Sequence, residues 1–173
     1  NNCVISDPDK IPESASHIIL PGVGNYNSCM DFLKYKDYIS PILKFIKAGK
    51  PVLGICLGMQ ILSSFGSEPD KTSGLNLIYG EVSRIKTDLP LPHVGWNEVK
   101  FNKNHKILSD IPDNSDFYFV HSSSFKVKNL NNVVATTKYG KEFCSIACFE
   151  NIFAVQFHPE KSQKKGLKLI KNF

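Results

Sequence analysis

The stretch "PVLGICLGMQ", Pro51 to Gln60, decides how this chain is read. "PVLGI" is a short apolar run, the pattern of a strand buried on both faces. "LGMQILSSF" follows at once and predicts a helix. Cys56 stands at the junction, flanked by Gly54 and Gly58. A sharp strand-to-helix turn crowds the backbone, and small neighbours relieve it. Two readings follow. In one, Cys56 is a small core residue and the glycines only let strand and helix pack. In the other, it is a nucleophile raised on the turn, where helix N–H groups favour the thiolate. The N–H of Leu57 would then serve an oxyanion hole.

Upstream, "HIIL" (17–20) reads as a buried strand running into the turn "PGVG" (21–24). "SPILKFIKAGK" predicts a helix with Ser40 as N-cap, Pro41 in its first position and Gly49 at its C-terminal cap. Ile42, Leu43, Phe45 and Ile46 give that helix a core face. Strand, helix, strand, helix in sequence predicts a parallel α/β sheet. After "GSEPDKTSG" the character changes. "LNLIYGEVSRI", "HVGWNEVKF", "FYFVH", "NVVATT", "FCSIACF" and "IFAVQF" are strand-like and separated by polar turns, which predicts antiparallel pairing. "SQKKGLKLIKNF" predicts a final helix with Ser162 as N-cap and Leu167, Ile170 and Phe173 along one side.

The 173 residues suffice for one domain with a sizeable core. No apolar run approaches the roughly 18 residues of a membrane span. The net charge of +5 is well short of a nucleic-acid-binding composition, and the cluster Lys161, Lys164, Lys165, Lys168 reads as a solvated helix face. Neither a membrane nor a nucleic acid is expected as partner. Cys3, Cys29, Cys56, Cys144 and Cys148 are odd in number and none are spaced C-x-x-C. Free thiols in a reducing cytoplasm are expected, with Cys144 and Cys148 as core residues. The chain begins "NNCVISDPDK", without Met, and an N-terminal part is expected to be missing.

A thiolate needs a base, and the base an orienting acceptor. Of the five histidines, His17 lies in an apolar strand and reads as structural, and His105 in a polar loop. His158 ends the buried strand "FAVQF" and is followed by Pro159 and Glu160. Chemistry in a parallel sheet collects beyond the carboxyl ends of the strands, where Cys56 and His158 would both lie. "HPE" alone equally fits a strand-ending turn. "PGVG" near Val23 fits a second oxyanion donor, though most such turns are only turns.

Together, and in this order, "PGVG", "GICLGMQ" and "FAVQFHPEKS" resemble the class I glutamine amidotransferases. "LPHVGWNEV", "FYFVHSSSF", "TTKYG" and "GLNLIYGEV" extend the resemblance to the glutaminase subunits of imidazole glycerol phosphate synthase. The resemblance implies a flavodoxin-like α/β fold: a mixed, mostly parallel sheet with helices on both faces and an antiparallel β-rich portion. It implies one amidotransferase domain over residues 1–173 that lacks its N-terminal strand and helix. It assigns Cys56 as nucleophile, His158 as base and Glu160 as its orienting carboxylate. Leu57 and Val23 or Gly24 become oxyanion donors. Gln60 and Glu68 hold the amino-acid end of L-glutamine, Ser122 contributes through its backbone, and Ser123 lies beside the glutamine site. No cofactor or metal is implied. The ammonia passes to a cyclase or synthase subunit in a heterodimer, across a face with Pro92, His93, Val94, Trp96, Tyr118 and Lys161. Two departures stand out: "HSSS" (121–124) replaces the usual "HSYY", and "SEPD" replaces "SEEG". These would suit a paralogue that supplies ammonia to a sugar-amidating enzyme. A non-catalytic subunit and a hydrolase of γ-glutamyl peptides are the competing classes.

Overall fold

The computed structural model describes residues 11–67 and 70–173. Glu68 and Cys3 lie outside the described residues. The core begins with three short strands: β1 (Ile18–Leu20), β2 (Val52–Ile55) and β11 (Ile152–Val155). They pair in parallel in the order β1-β2-β11, with Val155 opposite Ile55. Buried side chains alternate between faces. Val52, Ile152 and Ala154 join one apolar cluster, and Leu53, Ile55, Phe153 and Val155 the other. Burial on both faces is why β2 and β11 read as continuous apolar runs. Among the described residues the expected buried strand β1 lies instead at the sheet edge, with Ile19 exposed.

Helices α1 (Tyr26–Tyr35) and α2 (Ile39–Lys47) cover the first face through Met30, Leu33, Ile42, Phe45 and Ile46. The C-terminal helix α4 (Gln163–Asn172) covers the second through Leu169. The sheet continues from β11 by antiparallel pairs to β10 (Lys141–Phe149), β9 (Val133–Tyr139), β6 (His93–Phe101) and β7 (Ser115–His121). Four further strands form a second sheet: β4 (Lys71–Ser73), β3 (Phe65–Ser67), β5 (Gly80–Arg84) and β8 (Ser123–Val127), in that spatial order. The expected α/β fold with an antiparallel β-rich portion is therefore present; among the described residues its parallel pairing runs through β1, β2 and β11 in the first sheet and joins β3 to β5 in the second.

Several local expectations change. Helix α1 was not legible as a periodic apolar face, yet Asn25 caps it by accepting from the Ser28 N–H. Helix α2 starts at Ile39, with Tyr38 rather than Ser40 in the cap position, while Gly49 has the expected positive φ of 75° after its end. The helix after Cys56 stops early, at Leu57–Gln60 (α3). The reason is competition for the carbonyls of the next turn. Ile61, Leu62 and Ser63 carbonyls accept from the N–H groups of Leu75, Leu77 and Asn76, and the chain turns off into β3. In α4, Gly166 and Leu169 face inward while Leu167 is exposed. Ser162 precedes α4, but its hydroxyl makes no cap and bonds elsewhere. His17 is exposed, not buried in its strand.

Candidate functional site

Cys56 follows β2 with φ 54° and ψ −108°, a backbone region that L-residues rarely occupy. Its N–H donates to the Val155 carbonyl (2.8 Å), tying the turn to β11. The two glycines have steric tasks. A Cβ on Gly54 would lie 2.6 Å from the Gly58 carbonyl oxygen, and one on Gly58 would clash with the Leu20 carbonyl. Strand β2, α3 and the end of β1 are thus pressed together at this one turn.

His158 lies two residues beyond Gln156 on the neighbouring strand's exit, and is buried. Its backbone is clamped to β7: the His158 N–H donates to the Tyr118 carbonyl, and the Ser162 hydroxyl donates to the His158 carbonyl. Glu160 Oε1 lies 2.8 Å from His158 Nδ1. The carboxylate can only accept, so Nδ1 carries the proton they share and, in the neutral ring, Nε2 is the basic atom. That Nε2 is buried and, among the described residues, has no hydrogen-bond partner. The Cys56 thiol donates instead to the Val120 carbonyl (3.7 Å).

Burial pushes the Cys56 thiol up to about 11, against the pull of the Leu57 N–H and the Gln156 amide; Glu160 adds to the rise. The helix N-terminus expected to favour the thiolate belongs to a helix of only four residues, and burial outweighs its Leu57 N–H. The Leu57 N–H is also committed: it donates to the Gly22 carbonyl at 3.2 Å. The expected oxyanion donor therefore has a partner in this conformation.

A cavity of about 390 Å³ opens beside Cys56 and brings together Val23, Gly24, Leu57, Gln60, Ser122 and Ser123, with Pro92 at its edge. His158 does not line it. Gln60 Nε2 donates to the Ser123 carbonyl (3.1 Å) and to Gln156 Oε1 (3.0 Å). With both hydrogens used, Gln60 offers a ligand only its Oε1, an acceptor. The Ser122 carbonyl is taken by the Ile85 N–H (2.9 Å). A larger cavity of about 570 Å³ lies between β5, β8 and β10, without Cys56 or His158.

The glutamine amidotransferase class-I family matches this chain over residues 5–173. The chain belongs to the class-I glutamine amidotransferases. Among curated proteins it is 42% identical to the imidazole glycerol phosphate synthase subunit HisH of Moorella thermoacetica, over 98% of this chain and 80% of that protein. It is 45% identical to the HisH of Pyrococcus furiosus, over 98% of this chain and 86% of that one. A crystal structure of a glutamine amidotransferase superposes with a TM-score of 0.71 at 14% identity, over 97% of this chain and 84% of the other, which shows the shared fold.

On this amidotransferase fold, β6 and β7 carry an exposed aromatic patch. Trp96 is 48% and Val94 55% exposed, and Trp96 meets Tyr118 edge-on with ring centres 5.9 Å apart. Pro92 and Lys161 are exposed as well. His93 departs from this set: it is only 3% exposed and turned inward. Its Nδ1 lies 2.9 Å from His121 Nε2, and His121 Nδ1 lies 2.9 Å from the Ser123 carbonyl. That carbonyl can only accept, so His121 Nδ1 and then His93 Nδ1 carry protons. His93 Nε2 accepts from Asn97 Nδ2 at 3.2 Å. Burial lowers both imidazoles to about 4, so this chain of rings is neutral at pH 7. Sequence reading passed over His121 and Gln156, whose signal was a polar residue inside a buried strand run.

Proposed function

We propose that this chain is the glutaminase subunit of an imidazole glycerol phosphate synthase in histidine biosynthesis. It hydrolyses L-glutamine to glutamate and ammonia and hands the ammonia to a cyclase partner in a cytoplasmic heterodimer. What carries the reading is the pairing of a strained cysteine turn with a His158–Glu160 pair on the adjacent strand, in a chain 38–45% identical to HisH proteins.

In this mechanism the Cys56 thiol yields its proton to His158 Nε2 and attacks the side-chain amide carbon of glutamine. Glu160 holds the imidazole with Nε2 as its basic atom and stabilises the imidazolium that forms. His158 then protonates the departing ammonia, leaving a glutamyl thioester that water hydrolyses. The oxyanion requires N–H donors, and removal of one costs about 3–4 kcal/mol. Leu57 supplies one only after the Gly22 carbonyl withdraws, and Val23 or Gly24 supplies the second from the same turn. Low glutaminase activity without the partner follows. Gln60 Oε1 accepts from the substrate's ammonium or amide N–H; Glu68 balances the ammonium charge. Ser122 and Ser123 complete the wall. Ser123 bonds Gln60 through its main chain, so its departure from an aromatic residue leaves that contact intact.

The cyclase docks on Pro92, Val94, Trp96, Tyr118 and Lys161. Cys56→Ala is expected to abolish glutamine-dependent synthesis by the complex while ammonia-dependent synthesis persists. A Cys56→Ala complex that still used glutamine normally would overturn the assignment.

A further inference from the structure

We propose that Gln156 is a catalytic residue of this site: its side-chain N–H donates to Cys56 Sγ and supports the thiolate, in an orientation dictated by Gln60 and the Ser123 carbonyl. The inference rests on Cys56 being the nucleophile.

Gln156 follows β11 as Cys56 follows β2, and the parallel register sets the two side by side. Its side chain is wholly buried, at 0% exposure. A buried amide must find partners for both ends, because an unpaired one costs about 1–3 kcal/mol. Gln156 Nε2 lies 3.6 Å from Cys56 Sγ, an ordinary length for a bond to sulfur, and Oε1 lies 3.0 Å from Gln60 Nε2.

The direction of these bonds has one solution. The Ser123 carbonyl oxygen has no proton to give, so the end of Gln60 that faces it is the NH2. The same NH2 reaches Gln156, which must present its oxygen there. The Gln156 NH2 is thereby turned to Cys56. Reversing Gln60 would set carbonyl against carbonyl, and reversing Gln156 would set NH2 against NH2. The Ser123 carbonyl is itself held by the Nδ1–H of His121.

The contact gains importance as the thiol ionises. In the resting state the S–H points to the Val120 carbonyl, a group that repels a thiolate. Once the proton leaves, the Gln156 N–H is a donor already aimed at the sulfur. Hydrogen bonds to an ionised acceptor in a dry site are about twice as strong as neutral ones. Burial disfavours the Cys56 thiolate, so a donor lost there is not replaced by water.

The test is the pH profile of Cys56 alkylation by iodoacetamide in the full chain, read by peptide mapping so that other thiols do not interfere. Gln156→Met and Gln156→Leu remove the donor at similar volume. Both are expected to raise the alkylation midpoint by about one unit. At pH 7.5 the rate itself should fall only about 3–4-fold, since a more basic thiolate is also more nucleophilic. In the partner complex, kcat for glutamine should fall while KM changes little. In the unmodified chain, the NMR signals of the Gln156 side-chain NH2 should move with the Cys56 midpoint. Signals that ignore the titration, or variant midpoints within about 0.3 unit of the parent, overturn the proposal. The NMR arm needs no variant and decides the matter if both fail to fold. Alkylation uses no glutamine, so the outcomes separate. An active Cys56→Ala complex defeats the functional reading, whereas an inactive one with unchanged Gln156 profiles defeats this inference alone.

Discussion

Gly54→Ala tests the steric account of the cysteine turn most directly. Gly54 has an ordinary backbone conformation, so alanine there introduces no φ strain and acts through space alone. Its Cβ would sit 2.6 Å from the Gly58 oxygen, 2.8 Å from the Gly58 carbonyl carbon and 2.9 Å from Leu62 Cδ1. Two of these are backbone atoms at the start of α3, which cannot rotate away. Restoring ordinary contact requires the α3 turn to move by about 0.8 Å. Overpacking of this kind costs about 3 kcal/mol, which lowers the urea midpoint by about 1–2 M at unchanged m. A shift near 1 Å in a nucleophile costs up to about 100-fold in turnover. The assay pairs urea unfolding with glutamine turnover in the partner complex. Gly49→Ala is the control: its φ of 75° costs about 1 kcal/mol, but nothing lies within 4 Å of its Cβ and turnover should be unchanged. A Gly54→Ala chain with parental turnover would refute the claim that close packing at this glycine positions Cys56.

Two further expectations follow from other parts of the molecule. Trp96→Ala should weaken partner binding by about 30-fold, or about 2 kcal/mol, and leave the melting temperature of the isolated chain unchanged; unaltered affinity by calorimetry would remove Trp96 from the interface. Stability should fall as pH drops from 6.5 toward 4, because burial holds His121 at about 4, below its ordinary 6.5, so the unfolded chain binds the proton first. That ring contributes up to about 3 kcal/mol, lost as the pH falls through this window and flat above it, with His93 acting in the same direction. Urea midpoints across pH 4–7 check this, and a His121→Gln chain with the same slope as the parent would count against it.

The strand–turn–helix around Cys56 was legible in the sequence because apolar runs and flanking glycines are local signals. The β-rich half was legible for the same reason, with "HVGWNEVKF" matching β6 end to end. The length of α3 was not legible. The carbonyls of residues 61–63, just after it, are claimed by residues 75–77, a tertiary event that no helical pattern encodes. The inward turn of His93 was equally hidden, since a histidine beside exposed Val94 and Trp96 reads as surface until strand alternation is applied. Nor could the engagement of Leu57 by Gly22 be read from residues: a glycine-rich turn permits both a carbonyl and an N–H to face the cysteine.

The backbone of Cys56 bears on how such a subunit ages in evolution. At φ 54° and ψ −108°, glycine is the residue most at ease. Replacing the cysteine by glycine would relieve about 1 kcal/mol of strain while ending the chemistry. Selection for function and selection for a robust fold therefore pull in opposite directions at this single codon. A lineage freed from the need for glutamine would drift toward the more comfortable residue, so a glycine at this position would identify a retired enzyme.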